Sequence, residues 1–254
     1  MRETARNLRR RWRAGAAAAA LLALTGACQF ELRPPPGQAR PAAQGTAAQG
    51  TAAAGSPAQA PSAPGTFNES EFQEDLRTAE TTTDDYWQRH WNRLFTGSYS
   101  SPRVVGLYDG RDPRSAPLCG KERLTPDNAA YCPSGDYVAW DAHLMRSGYA
   151  RGDAWVYLVI AHEWGHAVQA RLRRGLVSPA AELQADCLAG AVLYGSSDDG
   201  TLRFEDGDEQ ELVDAFQVIG DKAAWTKPGD HGTAVQRLRS FSRGGENGVQ
   251  GCFS

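Results

Sequence analysis

The sequence predicts an α+β domain, mostly helical with a small sheet, over residues 67–254. Apolar residues recur at helical spacing in several stretches bounded by Ser, Thr, Asp or Gly. Only two short runs, Arg103 to Tyr108 and Tyr137 to Trp140, carry the β-branched and aromatic content of strands. The stretch from Phe67 onward is long enough for one domain with a substantial core.

The first 28 residues read as a signal peptide. Six arginines lie between Arg2 and Arg13, followed by the apolar run Ala14 to Leu24 and then Thr25-Gly26-Ala27-Cys28. That run is too short to span a bilayer. Cys28, directly after small residues, reads as a lipobox cysteine, cleaved before its nitrogen and lipidated on its thiol, although Thr25 stands where such motifs usually carry Leu. The expected destination is outside the cytoplasm, as a cell-envelope lipoprotein held to the membrane through Cys28, or as a secreted protein. Residues 29–66 form a Pro/Ala/Gln/Gly linker with almost no large apolar side chains, which cannot offset the entropy of ordering and is expected to be a disordered tether.

Within the domain, residues 69–80 and 83–95 read as two helices anchored by Phe72, Leu76, Trp87, Trp91 and Leu94. After the two strands comes a helix from about 154 to 174. It has Asp153 as N-cap, arginines 171, 173 and 174 in its last turn, and Gly175 as a left-handed stop. Its front, Ala154 to Ala161, is apolar on almost every face, which belongs in a core. Ser178-Pro179 reads as the start of the next helix. Leu212, Ala215, Phe216 and Ile219 mark another over 208–220, and Thr233 caps the last.

The chemistry is concentrated in His162-Glu163-Trp164-Gly165-His166. On a helix, positions i and i+4 share a face about 6 Å apart along the axis, so both imidazoles can bind one metal, and Glu163 can take a proton from a metal-activated water. A catalytic zinc keeps three protein ligands and one open position. Glu182 and Asp186, four apart on the following helix, share a face bordered by Leu183, Cys187, Ala189 and Gly190. Buried carboxylates need a partner. Glu182 is assigned as third ligand and Asp186 as acceptor for a ligand histidine N–H; the spacing alone also allows the reverse.

These segments, with Val159 to Gln169 and Glu182 to Cys187 as the strongest, resemble the bacterial putative neutral zinc metallopeptidase family. Further matches are Cys119-Gly120, Tyr131-Cys132-Pro133, Tyr137 to Asp141, Ile219-Gly220-Asp221, and His231-Gly232-Thr233 with Gln236-Arg237. The chain departs from the family pattern at Ala167, where a second histidine is often found, at Trp164, and at Asn128-Ala129-Ala130. The resemblance implies a zincin-like fold with glutamate as third ligand. In zincins an edge strand lies along the active-site helix and pairs with substrate backbone; Tyr137–Asp141 is the expected strand. His231, between Asp230 and Gly232 in a matching stretch, is the expected donor to the developing oxyanion. His90, His143 and Tyr157 read as structural or exposed.

Once Cys28 is set aside, four cysteines remain, an even number that favours disulfides in an exported chain. Cys119 pairs with Cys132 across a Pro/Asn/Asp-rich loop, and Cys187 with Cys252. Without the six arginines and one glutamate ahead of Cys28, 21 basic and 29 acidic residues are left, a poor footprint for nucleic acid. The one basic cluster, Arg237, Arg239 and Arg243, reads as a solvated helix face. The expected activity is therefore Zn2+-dependent hydrolysis of peptide bonds in a polypeptide, with Glu163 as general base. The alternatives are a non-proteolytic zinc-containing envelope lipoprotein that serves as a binding scaffold and, more weakly, a cell-wall amidase.

Overall fold

The structure is a computed structural model and describes residues 67–222 and 230–253. The expected signal segment, with Cys28, and the linker lie outside the described residues. The α+β expectation holds: helices dominate, and the sheets are small.

Helix α1, Glu69–Leu94, is one continuous 26-residue element, not two helices. Asn68 caps it, its Oδ1 accepting from the Ser70 and Glu71 amides. Thr81-Thr82-Thr83 is a poor helix former. Thr82 and Thr83 are nonetheless buried on the same helix as Phe72, Leu76, Trp87 and Trp91, and tertiary packing overrides local propensity.

The main sheet has the order β1 (Arg103–Tyr108), β5 (Tyr137–Asp141), β4 (Ala129–Cys132). Strand β1 runs parallel to β5 and β4 antiparallel to it. Every residue of β5 is buried because β5 is the central strand. This corrects the expectation that Tyr137–Asp141 is an edge strand; the edge that meets the helix carrying His162 and His166 is β4. A two-stranded ladder, β2 (Leu118–Cys119) with β3 (Glu122–Arg123), lies between β1 and β4 in sequence. The Cys119–Cys132 disulfide ties it to β4.

Asp141 ends β5 and opens a helix that sequence patterning missed, α2 (Ala142–Tyr149). Its Oδ1 accepts from the amides of His143 and Leu144, and its Oδ2 from Gly110. Helix α3, Ala154–Arg171, is buried along most of its length, as its apolar front requires. It stops at Arg171, because Leu172 is already extended; Arg173 is extended too, and Arg174 and Gly175 fall outside the helix in a 3-10 turn. Asp153 makes no side-chain cap bond. Helix α4, Ala181–Asp198, starts after Ala180 rather than at Ser178-Pro179. Ser178 instead bonds the Ala180 amide in the turn leading in. Helix α5 is Asp208–Ile219, and α6 is Ala234–Asn247, with the expected Thr233 cap completed by Gln236 as a capping box.

Glycines let α3, α4 and α6 approach closely. A methyl on Gly165 would sit 3.0 Å from the Ala185 Cα, and one on Gly190 2.0 Å from the Phe241 carbonyl oxygen. A methyl on Gly244 would lie 1.8 Å from the Cys187 carbonyl oxygen. The Cys187–Cys252 disulfide, also as expected, fastens the C-terminal turn to α4. Among the described residues no helix is long and apolar enough to cross a membrane.

The tight α4–α6 seam yields a stability prediction. Gly244→Ala forces backbone apart and is expected to cost at least about 1–3 kcal/mol in urea unfolding. Gly175→Ala, where a methyl meets nothing within 4 Å, should stay within about 0.5 kcal/mol of the parent. Equal midpoints for the two variants would contradict this packing.

Candidate metal centre

The 18-residue α3 carries His162 and His166 one turn apart on the face that looks toward α4 and β4. Gly165, between them, allows α4 to come close enough for Glu182 to reach both rings. Glu182 Oε2 lies 3.2 Å from His162 Nε2 and 3.4 Å from His166 Nε2. One donor atom from each of the three residues falls within 4.8 Å of the other two. The structure thus brings together the three residues named as ligands from the sequence, His162, His166 and Glu182, with Asp186 behind His162.

What stands behind the rings fixes their orientation. His162 Nδ1 lies 2.9 Å from Asp186 Oδ1, and Asp186 has no solvent exposure. His166 Nδ1 lies 2.9 Å from Gln169 Oε1. At His162 Nδ1 the Asp186 acceptor is nearer than the Arg237 Nη2 donor, 3.4 Å away, so an acceptor at each Nδ1 assigns the proton to that nitrogen and leaves each Nε2 lone pair aimed inward. Gln169 is itself oriented, since its Nε2 donates to Ala181 O at 2.7 Å and to Gln184 Oε1 at 3.1 Å. Gln184 in turn donates to Leu176 O and to Cys252 O. A buried amide pair therefore joins the second histidine to the start of α4 and to the disulfide-anchored C-terminus.

Two lone pairs facing one carboxylate oxygen repel unless a cation or protons lie between them. The titration of the group reflects that demand. Burial disfavours a charged His162, but Asp186 and Glu182 outweigh it and push the ring up to about 10. Burial likewise opposes charge on His166, and Glu182 again raises it. For Glu182, burial would raise the carboxyl, yet hydrogen bonds from both imidazoles hold it far below the usual range. Burial would also raise Asp186; the Arg237 guanidinium and the His162 ring outweigh it and keep it ionised. The donor set, two imidazoles whose Nδ1 atoms are already bonded and one carboxylate, fits a zinc ion.

Glu163 is almost buried, and its Oε2 accepts a 2.8 Å hydrogen bond from the Tyr131 backbone N–H of β4. Asp141 N donates to Asn128 O, so alternation along the antiparallel ladder turns the amides and carbonyls of Ala129 and Tyr131 away from β5. They face a cleft of about 850 Å³ that is lined by β4, Trp155, Val159, the three metal-type residues, His231 and Arg237.

His231 lines this cleft from a left-handed turn at Gly232, with its side chain half exposed. Asp221 accepts from the His231 amide, and its Oδ1 lies 3.5 Å from the ring Nδ1. His90 stacks on Tyr86 and pairs with Asp199, and His143 pairs with Asp127 at the surface. Tyr157 bonds Asp75 in a different pocket.

Sequence reasoning missed three groups. The Tyr131 amide has no side-chain signature. Gln169 could have been found from its position three residues after His166, on the same helical face. Arg237 was read as part of a solvated face together with Arg239 and Arg243. Only the latter two are exposed; Arg237 is 4% exposed and forks onto Asp186.

Two curated relatives, both carrying the printed name "Uncharacterized protein YpfJ", come from Escherichia coli strain K12 and from Escherichia coli O6:H1 strain CFT073. Each is 30% identical over 212 residues, covering 71% of this chain and 70% of the relative. No solved structure matches the chain. A family model described as putative neutral zinc metallopeptidase matches residues 41–252, most of the chain and all of the cleft described above. The chain belongs to the putative neutral zinc metallopeptidase family.

Proposed function

We propose that this protein is a zincin-like, zinc-dependent hydrolase of peptide bonds, with His162, His166 and Glu182 as metal ligands and Glu163 as general base. The observation that carries the reading is the convergence of two Nε2 atoms on one Glu182 oxygen while acceptors occupy both Nδ1 positions. When bound, zinc would supply a Lewis acid that polarises the scissile carbonyl and makes a water molecule acidic.

The protein groups divide the remaining work. The Tyr131 amide fixes one oxygen of Glu163, leaving the other to accept the proton of the attacking water and pass it to the departing amine. The outward amide and carbonyl of Ala129 and the Tyr131 carbonyl offer an extended peptide a ladder along β4. His231, steadied at its Nδ1 side by Asp221, is assigned as the further donor to the developing oxyanion. The two disulfides support an oxidising, extracytoplasmic setting. The family supports a polypeptide substrate, and the lipid anchor proposed at Cys28 rests on the sequence alone.

Glu163→Gln is expected to retain zinc and abolish cleavage of a mixed peptide library, whereas Glu182→Ala should lose zinc itself. Full cleavage by either variant would remove the assignment. Wild-type protein that binds zinc yet leaves every peptide intact, with or without chelator, would favour the scaffold role.

A pH effect follows from the raised imidazole. In metal-free protein, the stability contributed by His162 is fully present below about pH 6.5, declines as pH rises, and is gone above about pH 10. Zinc would take the place of the protons held between the rings and Glu182, so its binding should release protons and tighten as pH rises toward about 10. Thermal unfolding of the metal-free form is expected to weaken from pH 7 to 10 while that of the zinc-loaded form changes less. Parallel pH profiles would contradict the protonation scheme.

A further inference from the structure

We infer that Arg237 is a positioning residue for the metal centre, acting through Asp186 to hold the His162 ring; this rests on the zinc reading above. Arg237 reaches Asp186 with both arms of its fork: Nε donates to Oδ2 at 2.9 Å and Nη2 to Oδ1 at 2.8 Å. The same Oδ1 is the atom 2.9 Å from His162 Nδ1. Two parallel bonds fix the plane of a carboxylate as one bond cannot, and the carboxylate plane sets the direction from which the imidazole N–H is held.

The guanidinium is itself held. Its Nη1 donates to the Ile219 carbonyl at the end of α5, 3.1 Å away, and its Cζ lies 5.7 Å from the Phe216 ring centroid. A chain of contacts thus runs from the end of α5 through α6 and α4 to the first histidine of α3. Every side chain along it from Arg237 inward is almost fully buried. Arg237 is 4% exposed, and these contacts take up most of its donors. Arg239 and Arg243 on the same helix are exposed and make no such link.

Arginine is required because the task is geometric as well as electrostatic. Lysine would keep a positive charge near Asp186 but supply a point donor in place of a fork. Glutamine would leave the buried Asp186 charge with His162 as its remaining partner, free to turn and to carry that ring with it. Either change should loosen the aim of His162 Nε2 toward the point it shares with His166 and Glu182.

The test is zinc affinity per folded molecule, measured by chelator competition for wild type, R237K, R237Q and the surface control R239Q. Circular dichroism reports the folded fraction. A second readout is the His162 Nδ1–H proton resonance of the zinc-loaded protein. The expected result is a loss of affinity of about 10- to 100-fold in R237K and R237Q, with the Nδ1–H signal shifted or lost, and no change in R239Q. If R237Q does not fold, R237K, which keeps Asp186 compensated, decides the matter. Affinities within about twofold of wild type, with an unmoved Nδ1–H signal, would overturn the positioning role and leave the zinc reading intact. Wild-type protein that takes up no zinc would remove the zinc reading itself.

Discussion

A carboxylate with no exposure, Asp186, is the constraint around which this structure is arranged. An isolated buried charge is costly, and here it is compensated from both sides, by the Arg237 fork and by the His162 ring. That compensation is possible only if α3, α4 and α6 pack with almost no side chain between them. Gly165, Gly190 and Gly244 provide the space, and the Cys187–Cys252 disulfide fastens the chain terminus to the same helix that carries Asp186. Local sequence, helix packing and the electrostatics of the site are therefore one problem in this protein. A methyl group at the α4–α6 seam and a change of charge at Arg237 disturb the same assembly from different ends.

The sheet contributes a second, smaller constraint. Strand β5 is buried on every residue, which leaves β4 as the strand with a free side toward α3. Its ladder geometry turns the Tyr131 amide onto Glu163, so a backbone donor rather than a side chain orients the proposed base. The amide network of Gln169 and Gln184 does similar work for His166. Both histidines are thus held from behind by groups that leave their inward nitrogens to converge, the arrangement expected where a metal is to be gripped without rearrangement.

Much of this was legible in the residues. The spacing of His162 and His166 placed both on one face of a helix, and the carboxylates of Glu182 and Asp186 declared a second face that needed partners. Both disulfide pairings followed from cysteine count and placement. The misreadings share a physical cause: each concerned an element whose state is set by distant packing. Thr81 to Thr83 looked like a break until the core around Trp87 and Trp91 held the helix through it. Tyr137–Asp141 had the stronger strand composition, and that strength reflects burial at the centre of the sheet; Ala129 and Ala130 carry little strand signal because an edge beside a cleft does not need it. Arg237 resembled its exposed neighbours because a charge buried by a partner 51 residues earlier in the chain leaves no local mark.

The proposed hydrolase requires a divalent ion gripped by two imidazoles and one carboxylate. X-ray absorption at the zinc edge, on protein purified without added metal and then loaded with one equivalent, tests this most directly. The predicted spectrum has nitrogen and oxygen neighbours only, at about 2.0–2.2 Å, with the multiple scattering of two imidazole rings. A sulfur shell, a single imidazole, or a spectrum indistinguishable from hydrated zinc would contradict it.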